Sequence, residues 1–126
     1  AYSPENLPDL LRDGTVGLFP SYYEGFPFGV LEMHAAGVPV VAYDAPGPPE
    51  MIPSDLIVKA GDWKRLAEKV GGLLRGGALE ERRRASSKRA HEFRWSTVAD
   101  RTIETYREKM EEGEEGGSDH SPERNE

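Results

Sequence analysis

The sequence predicts an α/β fold, in which a partial, doubly wound parallel sheet is followed by C-terminal helices. Three apolar runs indicate strands, at residues 16–19, 38–43 and 56–59. Segments with helical spacing of apolar residues alternate with these strands and then follow them, which favours parallel pairing through helical crossovers. A doubly wound sheet normally has more than three strands, so we expect only part of such a sheet.

Apolar spacing and end signals also locate the helices. We predict them at residues 6–12, from about residue 28, and at 63–74, 78–93 and 97–110. Ser96 is the expected N-cap of the last helix. In the third helix, one apolar face is expected to pack against the sheet, and it consists of Trp63, Leu66, Val70, Leu73 and Leu74.

The last segment differs in composition from the rest of the chain. Residues 111–126 contain no apolar aliphatic side chain, and they hold seven acidic residues against one arginine. They predict a disordered acidic tail that carries −6 of the formal net charge of −7, after a domain over residues 1–110. Because that domain is nearly neutral and has no basic field, we expect no nucleic-acid partner.

The strongest functional signal is the turn between the first strand and the helix that follows it. This turn lies at the carboxyl end of a strand, where open α/β sheets bind ligands, and it leads into a helix N-terminus, which is an anion site. Glu24 and Glu32, eight residues apart, flank the segment Gly-Phe-Pro-Phe-Gly at 25–29. We predict a ligand with a phosphate group, and we place both carboxylates beside hydroxyls because like charges repel.

A second turn at the same edge of the sheet follows the strand at 38–43. Residues 44–52 contain three prolines and one glycine, which make a stiff, preorganised loop. Gly47 and Glu50 are its candidate ligand contacts. Two roles stay open for Glu50: it positions the loop through hydrogen bonds, or it touches the ligand.

Together these motifs resemble the family-4 retaining glycosyltransferases of the GT-B fold, in their C-terminal, nucleotide-sugar-binding domain. The similar segments are Pro20-Ser21, Glu24-Gly25-Phe26, Glu32, the sequence Gly-Val-Pro-Val-Val at 37–41 and Pro-Gly-Pro-Pro-Glu at 46–50. Trp95 and Tyr106 resemble the pair that brackets the last helix of the family, so the resemblance covers about residues 5–110. The sequence departs from the family at Met33-His34, where Ala-Met is usual, and at Pro48, which replaces a glycine.

The resemblance implies a Rossmann-like domain that binds a nucleotide-sugar, with no cofactor and no metal. Glu24 would be the catalytic residue, beside the hydroxyls of the transferring sugar, and Glu32 would accept hydrogen bonds from the ribose. The implied donor-binding residues are Gly25, Phe26, Pro27, Phe28, Gly29 and Glu32.

Elementary chemistry assigns parts of this role to individual residues. Gly25 is expected at positive φ, where the backbone approaches a ligand closely. Pro27 lacks an N–H, which leaves those of Phe26, Phe28 and Gly29 as candidate donors to a diphosphate. The rings of Phe26 and Phe28 are expected in the wall or the core, and His34 is expected to have a packing or surface role.

The resemblance also implies parts that this sequence lacks. These are an acceptor-binding domain, the strands that bind the base, and an Arg/Lys pair that neutralises the diphosphate. We therefore expect a truncated chain that is inactive alone, and we expect it to self-associate, to be marginally stable, or to depend on a partner, which would be an acceptor-binding domain or a second chain.

Residue counts and the absence of certain motifs argue against several other functions. The sequence has no cysteine, three widely spaced histidines and no Asp-x-Asp pair, so no metal site is predicted. It shows no signal peptide and no transmembrane run, which favours a cytoplasmic location. A basic surface over residues 82–89 is interpreted as a solvated face balanced by Glu80 and Glu81, and the alternative is peripheral contact with an anionic membrane or a phosphate.

Two alternatives to the transferase stay open at this point. One is a non-catalytic binding or scaffold protein that uses the exposed face of the last helix. The other is a sugar-nucleotide 2-epimerase, which shares the GT-B architecture but needs acid and base residues that the sequence does not show.

Overall fold

A computed structural model describes residues 3 and 5–116 of the chain. The chain divides into two units, Ala1–Phe93 and Arg94–Glu126, which are considered separately. The first unit contains, in order, α1 (Leu7–Arg12), β1 (Gly17–Phe19), α2 (Phe28–Ala35), β2 (Val40–Asp44), β3 (Ile57–Lys59), α3 (Trp63–Arg75) and α4 (Leu79–His91). Two 3₁₀ turns, Pro48–Glu50 and Ser54–Leu56, connect β2 to β3.

Within the described residues the strands form one three-stranded sheet in the order β1-β2-β3, with both pairs parallel. Gly17 is opposite Val40, and Ala42 is opposite Ile57. The fold class is therefore confirmed: a partial parallel α/β sheet followed by helices. The central strand β2 is buried from Val40 to Tyr43, as expected for a parallel strand that is covered on both faces.

The core joins the sheet to α2 and to the loop between β2 and β3. Gly17 of β1 lies directly against the Met33 side chain of α2, so any larger residue at position 17 would collide with it. Fully or nearly fully buried apolar residues form one cluster, which includes Val30, Val40, Val41, Ala42, Met51, Ile52, Leu56 and Val58.

The third helix, α3, differs in part from its predicted packing. Leu66 and Leu73 are buried, but Trp63 is 64% exposed and Leu74 53% exposed, so the predicted apolar face is narrower than the sequence indicated. An unpredicted cap begins this helix: Asp62 Oδ1 accepts from the Arg65 N–H at 3.0 Å.

The fourth helix, α4, packs on α2 and is not simply a solvated basic face. Arg83 Nη1 donates to the carbonyl of Gly14 at 3.1 Å, and Arg82 Nη2 lies 2.7 Å from Asp55 Oδ2. These partners lie in loops far away in sequence, so the interpretation that Glu80 and Glu81 balance this surface is wrong for Arg82. Arg83 does approach Glu80, but at 3.9 Å.

The second unit contains α5 (Trp95–Gly116). Ser96 lies inside this helix and does not cap it, because the helix begins one residue earlier. The helix also continues past its predicted end at Met110, so residues 111–116 of the predicted tail are helical. The rest of that tail, 117–126, lies outside the described residues. Among the helices of the described part, none is both long enough and apolar enough to cross a membrane.

Candidate functional site

Two turns meet at the carboxyl edge of the sheet, as the sequence predicted. The β1–α2 turn and the β2–β3 loop contact each other at Gly47, where an added Cβ would lie 3.2 Å from Pro27 Cδ and 3.3 Å from the Glu24 carbonyl oxygen. The structure thus brings Glu24, Pro27 and Gly47 together.

Glu24 is held in place by the turn that carries it. Its side chain is half-buried, and the Ser21 hydroxyl donates to Glu24 Oε1 at 2.8 Å. The same hydroxyl oxygen lies 3.1 Å from the Tyr23 carbonyl. One carboxylate oxygen is therefore fixed from within the turn, and the other has no hydrogen-bond partner among the described residues.

The N-terminus of α2 presents backbone donors a few residues after Glu24. Pro27 is the N-cap, and no acidic side chain lies in the first turn of α2, so no carboxylate of that turn offsets the positive end of the helix. The N–H of Phe28 was predicted to be a free donor. It donates instead to the Phe26 carbonyl at 2.9 Å. The N–H groups of Phe26 and Gly29 have no acceptor within the described part of the chain.

The positive φ that was predicted at Gly25 is found at Gly47 instead. Gly25 does not have positive φ, so that prediction is wrong, whereas Gly47 has φ 101°. A Cβ at Gly25 would meet no heavy atom within 4 Å, so this side of the turn is open. The sequence Pro46-Gly47-Pro48 contained a signal for the positive φ at Gly47 that the sequence analysis missed. A glycine between two prolines is free to take the φ that the loop requires.

Glu32 lies farther along α2, in the wall of a groove between α1 and α2. The groove has a volume of about 500 Å³, and Leu7, Pro8 and Leu11 of α1 form its apolar side. Glu32 is exposed and has no ion-pair partner among the described residues, because the nearby Arg12 pairs with Asp9 at 2.9 Å.

The two phenylalanines of the turn lie at the surface. Phe26 is 45% exposed and Phe28 58% exposed, so neither is a core residue. Their ring centroids are 4.7 Å apart, and Phe26 also lies edge-on to Phe93 at 6.3 Å. The pair forms an apolar rim next to the open face of Gly25.

His34 has the packing role that was expected, since only 1% of it is exposed. Burial lowers the pKa of His34 below its usual value, while the carbonyls of Val38 and Met51 favour the charged form and oppose that shift. The imidazole is therefore neutral at neutral pH. It lies on the opposite side of α2 from Glu32, two residues away, and does not reach the turn.

Glu50 is exposed, and its carboxylate makes no hydrogen bond within the described residues. Its backbone positions the loop instead: the N–H donates to the Gly47 carbonyl at 3.1 Å, and the carbonyl accepts from Arg89. Of the two roles left open for this side chain, ligand contact stays a prediction. In residues 3 and 5–116 no group of three or more His, Asp and Glu side chains is placed to hold a metal ion.

The chain is similar to known glycosyltransferases over most of its length. The family model for glycosyl transferases group 1 matches residues 1–92, so the chain belongs to that family. The chain is 32% identical over 112 residues to a D-inositol 3-phosphate glycosyltransferase of Acidothermus cellulolyticus, a match that covers 86% of this chain and 25% of that protein.

Two further relatives show the same pattern. An MMP alpha-(1->4)-mannosyltransferase of Mycolicibacterium hassiacum is 36% identical over 111 residues, covering 82% of this chain and 27% of the relative. An alpha-maltose-1-phosphate synthase of Mycobacterium tuberculosis is 33% identical over 114 residues, covering 80% and 29%. The chain thus spans about a quarter of the length of the curated relatives that it matches.

Proposed function

We propose that this chain is the donor-binding part of a glycosyltransferase, which moves a sugar from a nucleoside-diphosphate sugar to an acceptor with retention of configuration. The observation that carries the proposal is the N-terminus of α2: the N–H groups of Phe26 and Gly29 have no acceptor among the described residues, and they belong to the same segment, 24–29, as the anchored carboxylate of Glu24. Membership of the glycosyl transferases group 1 family supports glycosyl transfer as the reaction class.

The diphosphate binds at the start of α2. The N–H groups of Phe26 and Gly29 donate to its oxygens, and the positive end of the helix attracts its charge. The open side of Gly25 lets the phosphates approach the backbone. When the bond from the anomeric carbon to the diphosphate breaks, its electron pair leaves with the diphosphate, and these donors stabilise the charge that develops there.

Glu24 orients the transferring sugar. Because Ser21 fixes Oε1, the second oxygen is held ready to accept from a sugar hydroxyl without ordering the whole side chain on binding. The anomeric carbon forms its new bond to the acceptor oxygen, and the acceptor proton leaves with the nucleotide or passes to solvent. We propose that this step needs no divalent metal, since backbone donors stabilise the charge that develops on the leaving group.

Glu32 binds the ribose. Its carboxylate, which has no ion-pair partner among the described residues, accepts from the vicinal hydroxyls, while the apolar side of the groove, formed by Leu7, Pro8 and Leu11, lies beside it. The acceptor is held by a separate acceptor-binding domain, either in the same protein or in a partner chain, so the chain described alone binds nucleotide weakly and transfers no sugar.

Titration with UDP, GDP and ADP up to millimolar concentrations, at which the expected weak binding is detectable, tests the proposal by amide NMR. We expect one nucleotide to shift the amide signals of Phe26 and Gly29. Glu32→Gln keeps an acceptor but loses its charge, so it weakens that binding by about 1–3 kcal/mol, which is about fivefold to 150-fold. Glu81→Gln makes the same charge change on exposed α4 and leaves the affinity unchanged. If none of the three nucleotides shifts these amides, or if both variants bind equally well, the donor site is elsewhere.

A further inference from the structure

One side chain of α4, Arg89, is connected to both turns of the donor site. Its Nη2 donates to the Glu50 carbonyl in the β2–β3 loop, and its Nη1 pairs with Glu92, which holds the guanidinium from its own helix. The face of the same guanidinium lies over the Phe93 ring, with Cζ 5.1 Å from the ring centroid. The edge of the group thus makes hydrogen bonds while its face stacks, a combination for which arginine is suited and lysine is not.

The Glu50 carbonyl is available to Arg89 because of the sequence that follows it. Glu50 ends a 3₁₀ turn, in which a carbonyl accepts from the N–H three residues later. That residue is Pro53, which has no N–H, and no other backbone N–H of the described residues donates to this carbonyl. Arg89 supplies the donor from a different element.

The first connection from Arg89 to the donor site is through the β2–β3 loop. The Glu50 N–H donates to the Gly47 carbonyl at 3.1 Å, so the residue that Arg89 holds is itself bonded to Gly47. Gly47 in turn lies close to Pro27 and to the carbonyl of Glu24. Holding the Glu50 carbonyl therefore keeps the loop against the turn that carries the Glu24 carboxylate.

The second connection is through aromatic rings. Phe93, which lies under the guanidinium, is edge-on to Phe26, with the ring centroids 6.3 Å apart. Edge-on aromatic pairs at this distance attract each other. Phe26 belongs to the β1–α2 turn, and its N–H is one of the two donors that we assign to the diphosphate. The stack on Arg89 thus supports this turn from the side of α4.

We propose that Arg89 is a positioning residue of the donor site, an inference that rests on the proposed function. Both of its terminal nitrogens already have acceptors within the chain, so in this role it touches no substrate. It holds the β2–β3 loop and the Phe26 ring in the arrangement that binds the nucleotide, so less order has to be gained on binding.

Nucleotide titrations of arginine variants test this role, with the nucleotide among UDP, GDP and ADP that shifts the Phe26 and Gly29 amide signals of the wild type. Arg89→Met removes the guanidinium, so it should weaken binding by about threefold to tenfold, the loss expected for one hydrogen bond. Arg83→Met is the control for stability. Its hydrogen bond goes to the Gly14 carbonyl, which precedes β1 at the opposite edge of the sheet, so this variant should be less stable but bind with unchanged affinity.

Arg89→Lys separates positioning from charge. Lysine keeps the cation, but its ammonium group lacks the planar fork that bonds at its edge and stacks on its face, so this variant should also bind more weakly. If Arg89→Lys binds as the wild type does, Arg89 acts through its charge and the inference is wrong. This variant decides the question even where Arg89→Met does not fold.

A double-mutant cycle tests the connection through the loop. Arg89→Met and Gly47→Ala both release the β2–β3 loop, so the double variant should lose less affinity than the product of the two single losses. Losses that simply multiply would show that Arg89 does not act through this loop and would overturn the inference.

Two further outcomes separate this inference from the proposed function. If the wild type binds nucleotide and Arg89→Met binds it equally well, or if Arg83→Met loses as much affinity as Arg89→Met, only the role of Arg89 is wrong. If none of the three nucleotides binds the wild type, the donor site is wrong, and the role of Arg89 with it.

Discussion

At the scale of single residues, Gly47 is the position on which the two turns of the donor site depend. Its φ of 101° is accessible to glycine and strained for other residues, and a Cβ there would press on Pro27 and Glu24. We expect Gly47→Ala to lower the free energy of unfolding by about 1–3 kcal/mol, measured by urea denaturation. The loop would also move away from Glu24, so nucleotide binding should weaken as well.

The matched control is Gly25→Ala, in the β1–α2 turn. Gly25 does not have positive φ, and an added Cβ meets no heavy atom, so stability should change by less than about 0.5 kcal/mol. Only nucleotide binding should weaken, because the methyl group occupies the side from which the phosphates approach. If Gly25→Ala destabilises the fold as much as Gly47→Ala does, the contrast drawn between the two glycines is wrong.

At the scale of elements, α4 shows that a local run of basic residues does not reveal which groups its arginines contact. Arg83 reaches the Gly14 carbonyl, 69 residues away, and Arg82 reaches Asp55, 27 residues away. We expect Arg83→Met to lower the free energy of unfolding by about 1–2 kcal/mol, since a charged hydrogen bond at a half-buried carbonyl is lost. Arg84→Met, on the exposed side of the same helix, should change it by less than about 0.5 kcal/mol. Equal losses in the two variants would show that Arg83 contributes charge only.

The elements that could be predicted from the sequence are those with strong local signals. The strands were located to within two residues, since apolar runs bounded by Pro and Gly indicate buried parallel strands without knowledge of their neighbours. The meeting of the two turns followed from parallel topology. The φ of Gly47, the use of the Phe28 N–H within the turn and the partners of Arg82 and Arg83 all depend on tertiary contacts, which no local pattern contains.

At the scale of the whole molecule, the sheet edge at β1 leads to an expectation for how this chain behaves in solution. Within the described residues β1 is paired on one side only, by β2, and its middle residue Leu18 is 53% exposed. An edge strand of this kind presents unpaired backbone groups and apolar side chains together, which favours pairing with another chain. We therefore expect concentration-dependent self-association in sedimentation velocity experiments.

Leu18→Lys tests whether β1 mediates that association. A charge on an edge strand opposes strand pairing, so this variant should stay monomeric at concentrations where the wild type associates. Leu10→Lys is the matched control, because Leu10 is 63% exposed on α1 and lies outside the sheet, so its association should equal that of the wild type. A wild-type chain that remains monomeric at every concentration, or an equal loss of association in both variants, would show that the β1 edge does not drive assembly.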